Sequence, residues 1–354
     1  MSVLDRYIGF EVIKGVFIAI LVLLALLNFF TFTDELGEIG HGDYGFFEIF
    51  KYLALTTPRG FYDLLPSAAL LGALSSLGAL ANNRELVAIQ AAGGSKLGIV
   101  LAVIKAGVLL AIFTALVGEY VSPVSERAAQ ILRSSSLHEQ VASLTKYGFW
   151  VRDGNIFINI RKTHQHVMLN DISIYEVESN KLLKRASHAD KAVYDKGTWY
   201  LESIKSSYFG GPRVVIDRAD STRWDTIVAP DLLSLFAVKP EHLSAAELLK
   251  YMDYMEDNAQ QSLSVELAFW ERMVNPFVTI AMLLVAVPFV LSVGRDSTMG
   301  QRIVVGVVFG LGFYLFNRMV GHLGLVYEVN PVFTATLPTL TVLAGAIYGL
   351  LRLR

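Results

Sequence analysis

The stretch that decides the fold is Leu64–Leu97, LLPSAALLGALSSLGALANNRELVAIQAAGGSKL. Leu64 to Asn83 carries no charge and is long enough to cross a bilayer as a helix, which takes about 20 apolar residues. A short polar–apolar segment, Asn82 to Lys96, follows before apolar sequence resumes at Leu97. It reads as a brief amphipathic helix between two spans. Asn82 or Asn83 is placed to cap it, Arg84 and Glu85 open it, and Gly93-Gly94 supply the left-handed backbone that ends helices. Leu86, Ile89 and Gly93 share a face at i, i+3 and i+7, and Ala88, Ala91 and Ala92 add small surfaces suited to close docking. Charged pairs between spans are most often solvated turns, but the helical pattern sets Arg84-Glu85 apart. A partner outside the membrane is expected to grip this segment.

Composition agrees with a membrane protein. Of 354 residues 53% are hydrophobic and only 18% charged, and the mean hydropathy is +0.48, whereas soluble domains carry about 25% charged residues. A net charge of -2 gives no electrostatic footprint for nucleic acid. With no cysteine, disulfides, thiolate metal sites and cysteine nucleophiles are excluded. Arg6 and Lys14 before an apolar run resemble a signal peptide. The uncharged run from Gly15 to Thr33 is longer than a signal core of about 7–15 residues and lacks a clear cleavage site, so it reads as a first span.

Six segments qualify as spans: Gly15–Thr33, Leu64–Asn83, Leu97–Val121, Met273–Gly294, Ile303–Val320 and Val329–Leu351. Lys105 and Glu119 in the third can snorkel or face protein, and Arg318 weakens the fifth. Arg6, Lys14, Arg84, Lys96, Arg295, Arg302, Arg352 and Arg354 lie on one side, with Lys51, Arg59 and Arg318 on the other. Eight basic residues against three place both termini and the Arg84–Lys96 loop in the cytoplasm.

The far side then holds Ser122 to Arg272, where short alternating runs recur from Phe149 to Ile227. Turn signals such as Asp153-Gly154-Asn155 separate them. They imply a β-sandwich or open barrel. Helix returns at Ser244, whose spacing to Glu247 makes a capping box. The fold class is therefore an α-helical membrane protein with six transmembrane helices and an inserted all-β domain. By residue, 1–121 holds spans one to three with the amphipathic helix near 82–94, and 122–145 is a connector. The β domain is 146–240, a helical return arm 241–272, and spans four to six 273–354.

Other signals read blandly. Gly93-Gly94-Ser95-Lys96 superficially resembles a phosphate loop, but Ala88 or Ile89 stands where its first glycine belongs. His164-x-His166 reads as a surface pair, since two imidazoles without a third ligand make no metal site. No hydrolase or metalloprotease motif is present, and catalysis within the chain is not expected. Gly306-x-x-x-Gly310 permits close helix approach, either plain packing or a mobile helix at a gate. Arg133, alone, reads as a snorkelling anchor.

Leu4-Asp5-Arg6-Tyr7-Ile8, Leu70-Leu71-Gly72-Ala73-Leu74, the Arg84-Glu85-Leu86-x-Ala88-x-Gln90-Ala91-x-Gly93 segment and Met299-Gly300-x-Arg302 resemble the LptF/LptG permeases of lipopolysaccharide export, most closely the G type. The resemblance spans the whole chain and implies much more than the pattern does. It implies pairing with an F-type homologue and two copies of the cytoplasmic ATPase LptB, which alone uses ATP and Mg. It further implies LptC as partner and lipopolysaccharide as substrate, extracted from the inner membrane and passed to a periplasmic bridge. No cofactor would bind this chain. Arg84, Glu85, Leu86, Ile89, Gln90 and Gly93 would form the ATPase-coupling helix, and the β domain would be periplasmic and jelly-roll-like. Arg133, Arg318, Phe30 and Tyr314 would contact lipid, and Gly306 and Gly310 would pack the gate helix of span five, which with span one makes the lateral gates. G-type members often carry lysine where Thr31, Gly37 and Glu38 stand here, which leaves headgroup charge to come from elsewhere. The rival readings are an ATPase-coupled mechanotransmission protein that moves no lipid, and an envelope sensor or enzyme with its site in the β domain.

Overall fold

The computed structural model describes residues 3–137, 148–164, 168–178, 182–195, 197–209, 213–224, 230–236, 238–258, 260–292 and 299–352. They fall into two compact units: residues 1–37, 49–129 and 263–354, and residues 38–48 with 130–262.

The first unit is helical. Its members are α1 (Val3–Glu35), α2 (Phe46–Asn82), α3 (Glu85–Ala91), α4 (Lys96–Leu116), α5 (Ser122–Ser136, whose last turns belong to the second unit), α8 (Leu263–Ser292), α9 (Met299–Val326) and α10 (Pro331–Arg352). Among the described residues six helices are long and apolar enough to cross a membrane, as the sequence implies.

Several run well past the apolar windows. At 1.5 Å per residue, the 37 residues of α2 extend about 55 Å, far beyond a hydrocarbon core of about 30 Å. Lys51 and Arg59, read from sequence as loop residues, therefore lie on a helix. Hydropathy marks only the lipid-facing length, whereas polar turns stay helical through local pairs such as Arg59–Asp63, 3.4 Å apart at i, i+4. Likewise α8 begins at Leu263, ten residues before Met273.

Lipid is as apolar as leucine, so these helices associate through close packing. Gly15 and Gly72 let α1 and α2 touch backbone to backbone, and a Cβ on either would strike the opposite main chain. Arg302, Gly306 and Gly310 lie at i, i+4 and i+8 on α9 and run along α2. A Cβ on Gly306 would sit 2.8 Å from Leu71 and Leu74, and one on Gly310 would sit 3.8 Å from Ser67. Between α4 and α5 a π-helical turn, Val117–Val121, leaves the Gly118 carbonyl to accept a short hydrogen bond from Arg272, whose Nε lies 3.5 Å from Glu119. Glu119 thus faces protein. Lys105, whose side chain is exposed, is paired, with its Nζ 2.5 Å from Asp5.

The second unit holds β1 (Phe149–Asp153), β2 (Ile156–His164), β3 (Met168–Val177), β4 (Leu183–Asp195), β5 (Thr198–Tyr208) and β6 (Val215–Trp224), then α6 (Pro230–Phe236) and α7 (Ala245–Asp257). The all-β insert is present as one six-stranded antiparallel sheet in sequence order. Among the described residues each strand pairs with its chain neighbour, a meander rather than the Greek-key order of the expected jelly roll. Its apolar face, with Ile158, Ile172, Ala189 and Trp199, packs against Leu233 and Tyr254 of α6 and α7 rather than against a second sheet. Helix α7 has the expected Ser244–Glu247 capping box. Its Tyr254 hydroxyl accepts from the Arg152 amide at 3.1 Å and donates to the Arg152 carbonyl, and Asn258 Oδ1 accepts from the Gly154 amide at 3.0 Å. Edge strand β1 is covered in this way.

The candidate coupling helix and its anchors

Helix α2 ends in a tight turn. The Arg84 amide donates to the Ala81 carbonyl at 3.1 Å, and Arg84 adopts the left-handed conformation (φ 60°, ψ 14°). The same residue therefore terminates α2 and precedes α3. A side chain caps a helix from extended backbone, and this turn leaves no extended residue. Neither Asn82 nor Asn83 caps α3, contrary to the expectation. Asn82 is the last residue of α2, while the Asn83 side chain donates from Nδ2 to Glu85 Oε1 at 3.2 Å.

The C-terminus of α3 follows the sequence. Gly93 has φ 91°, the Gly94 amide donates to the Ile89 carbonyl at 2.9 Å, and the Gly93 amide donates to the Gln90 carbonyl at 3.1 Å. This is a complete Schellman closure. Ser95 then caps α4, accepting from the Gly98 amide at 3.0 Å.

Leu86 is 3% exposed and Ile89 is half-buried, and both pack into the helical core. The face turned outward is Val87, 50% exposed, with Ala88, Gln90, Ala91 and Gly93. Glu85 is held by both oxygens, since the Tyr7 hydroxyl donates to Oε2 at 2.6 Å. The structure thus ties α3 to the first turns of α1.

A third anchor lies nearby on α2. Arg302 of α9 is 8% exposed and donates from Nη1 to the Gly78 carbonyl at 2.6 Å. A Cβ on Gly78 would fall 2.6 Å from that nitrogen, so a side chain there would have to displace the guanidinium. Gly78 is near the C-terminal end of α2, where a cation is favoured, and a carbonyl partner offsets the cost of burying the charge. Sequence reasoning assigned no site role to Tyr7, Val87 or Arg302. The signals were there for two of them, in the Leu4–Ile8 and Met299–Arg302 motifs.

The expected lipid-contacting residues are dispersed. In the second unit, Arg133 Nη2 lies 3.4 Å from Glu38 Oε1, so the arginine that the resemblance assigns to lipid is paired with an acid of this chain. In the first unit, Arg318 lies over the Tyr314 ring at 5.7 Å, and Tyr314 is exposed. Phe30 is also exposed and packs edge-on against Phe29. The Thr31 hydroxyl is turned back onto the Leu27 carbonyl. Gly306 and Gly310 face α2, which leaves the other side of α9 open. Only 11% of the apolar stretch is buried in α1 and in α9, against 61% in α2 and α8. The side chains of His164 and His166 lie outside the described residues, and among the described residues no group of three metal ligands forms.

A family model of the lipopolysaccharide export system permease LptF/LptG matches residues 6–352. The chain belongs to this family. It is similar to the lipopolysaccharide export system permease protein LptG of Haemophilus influenzae, 32% identical over 342 residues and 96% of each chain. It is also similar to LptG of Escherichia coli K12, 32% identical over 354 residues, 99% of this chain and 98% of the relative. This family member is a permease of lipopolysaccharide export, a multi-pass transport component of the membrane.

Proposed function

We propose that the chain is the G-type half of a paired permease that extracts lipopolysaccharide from the inner membrane and passes it to a periplasmic bridge. Its partners would be an F-type homologue, LptC, and two copies of the ATPase LptB, which hydrolyse ATP. Both termini and α3 lie in the cytoplasm in this reading, with the β domain in the periplasm. The observation that carries it is α3 itself, a helix closed at its C-terminus and anchored on one side. Its small, weakly polar outer face is suited to a protein groove.

The anchors give the coupling a physical route. A push on α3 reaches α2 through a two-residue turn and reaches α1 through Tyr7–Glu85. Arg302 joins the same end of α2 to α9. Helices α1 and α9 are the two least covered by the chain's own packing, as lateral gates against a partner or lipid would be. Movement of the ATPase would then open or close them.

Co-purification with the ATPase tests the coupling face. Val87 is exposed and outward, so Val87→Asp should leave the chain folded and paired with its homologous permease while the ATPase is lost. ATPase retention equal to the native chain would remove α3 as the docking element.

A further inference from the structure

A groove of about 550 Å³ separates α1 from α4. Its floor is small-residue contact, with Gly9 placed so that a Cβ would lie 3.9 Å from Ala106. Phe10, 67% exposed, and Leu109, 59% exposed, form apolar walls. At one end stand Arg6, Tyr7 and Lys105. Lys105 is offset by Asp5 and the Tyr7 hydroxyl is committed to Glu85. Arg6 is exposed and makes neither ion pair nor hydrogen bond among the described residues. The groove is therefore amphipathic along its length, an apolar trough ending in an unsatisfied guanidinium on the first turns of a membrane-spanning helix. We propose that it holds an anionic phospholipid of the cytoplasmic leaflet, with an acyl chain between Phe10 and Leu109 and the phosphate on Arg6.

The depth assignment rests on the orientation proposed above. Arg6 then stands at the headgroup level of the leaflet rich in exposed basic residues, and a guanidinium pairs well with a phosphate. Tyr7 belongs both to this groove and to the Glu85 anchor. A lipid seated there would brace the first turns of α1 against α4 and so steady α3. The site differs from the route of the exported glycolipid, because its cation lies at the opposite membrane face from Arg318.

The test uses the assembled complex in nanodiscs that contain a phosphatidylglycerol with a photoactivatable acyl chain, compared with the phosphatidylcholine equivalent. Labelled peptides are mapped by mass spectrometry. Labelling should fall on α1 and α4 around Phe10 and Leu109, with phosphatidylglycerol preferred. Arg6→Gln should cut it about five-fold, the factor one membrane-proximal basic residue supplies. Leu109→Trp, which fills the trough, should abolish it without touching the charge. Equal labelling by both lipids, labelling unchanged in both variants, or a partner's transmembrane segment crosslinked there in place of lipid would overturn the proposal. If the ATPase co-purifies while the groove stays unlabelled, the groove alone has failed. If the ATPase is absent from the native preparation, the proposed function has failed with it.

Discussion

Tyr7 and Glu85 are 78 positions apart and joined by one 2.6 Å hydrogen bond. If that bond passes motion from α3 to α1, Tyr7→Phe should uncouple the transporter. The ATPase should still bind and hydrolyse ATP, but less lipopolysaccharide should be released per ATP consumed. An unchanged ratio would leave Tyr7 a local anchor only. Tyr254 supports a second residue-scale prediction. Its hydroxyl satisfies both free backbone groups of Arg152, so Tyr254→Phe should cost the β unit about 1–3 kcal/mol, measured by thermal unfolding of the full chain. Burial pushes the phenol from 10.0 up to about 12. A raised folded pKa means that the contribution is present below pH 10 and lost as pH climbs towards 12, so the variant should show a shallower alkaline decline. Glu176 is the opposite case. The hydrogen bond from Lys184 holds its carboxyl below the usual range, so its contribution is lost only as acid titrates the folded group.

Among the elements, α3 shows what the sequence could reveal and where it stopped. Its existence, its apolar face and its glycine stop were legible, because period and left-handed glycine are local signals. Its start was not. Arg84 is left-handed only because α2 and α3 share a turn, and arginine gives no hint of that conformation. The same limit explains the helix ends. Hydropathy found the part of α2 that lipid covers and missed Phe46–Asp63, which stays helical through polar turns. The alternating strands were legible as β structure, but what covers a sheet is a long-range matter. Nothing local announced that Leu233 and Tyr254 would take the place of a second sheet. Two glycine substitutions separate these effects. Gly93→Ala meets no atom within 4 Å and should cost about 1–2 kcal/mol through backbone strain alone, visible as weaker ATPase retention. Gly72→Val drives a side chain into the α1 main chain and should prevent folding of the helical unit, measured as loss of membrane-inserted protein.

For the whole molecule, two features point outward: the face of α3 and the apolar sides of α1 and α9. Bare apolar sides on spanning helices suit either lipid or a second membrane subunit, and the proposed pairing would use them. If Arg133 meets an anionic headgroup, as the proposed function has it, its pairing with Glu38 lowers the positive charge on offer. Glu38→Gln should therefore raise lipopolysaccharide crosslinking at position 133, and a fall or no change would show that the pair is only a brace. The most direct test of the account is ATP-driven release of lipopolysaccharide from proteoliposomes that hold the native chain with its homologous permease, LptC and the ATPase, compared with the same assembly carrying Val87→Asp. Coupling through α3 predicts release that requires ATP in the native assembly and is lost in the variant together with the bound ATPase. Release that persists undiminished in the variant, or native assemblies that hydrolyse ATP and move no lipopolysaccharide, would contradict it.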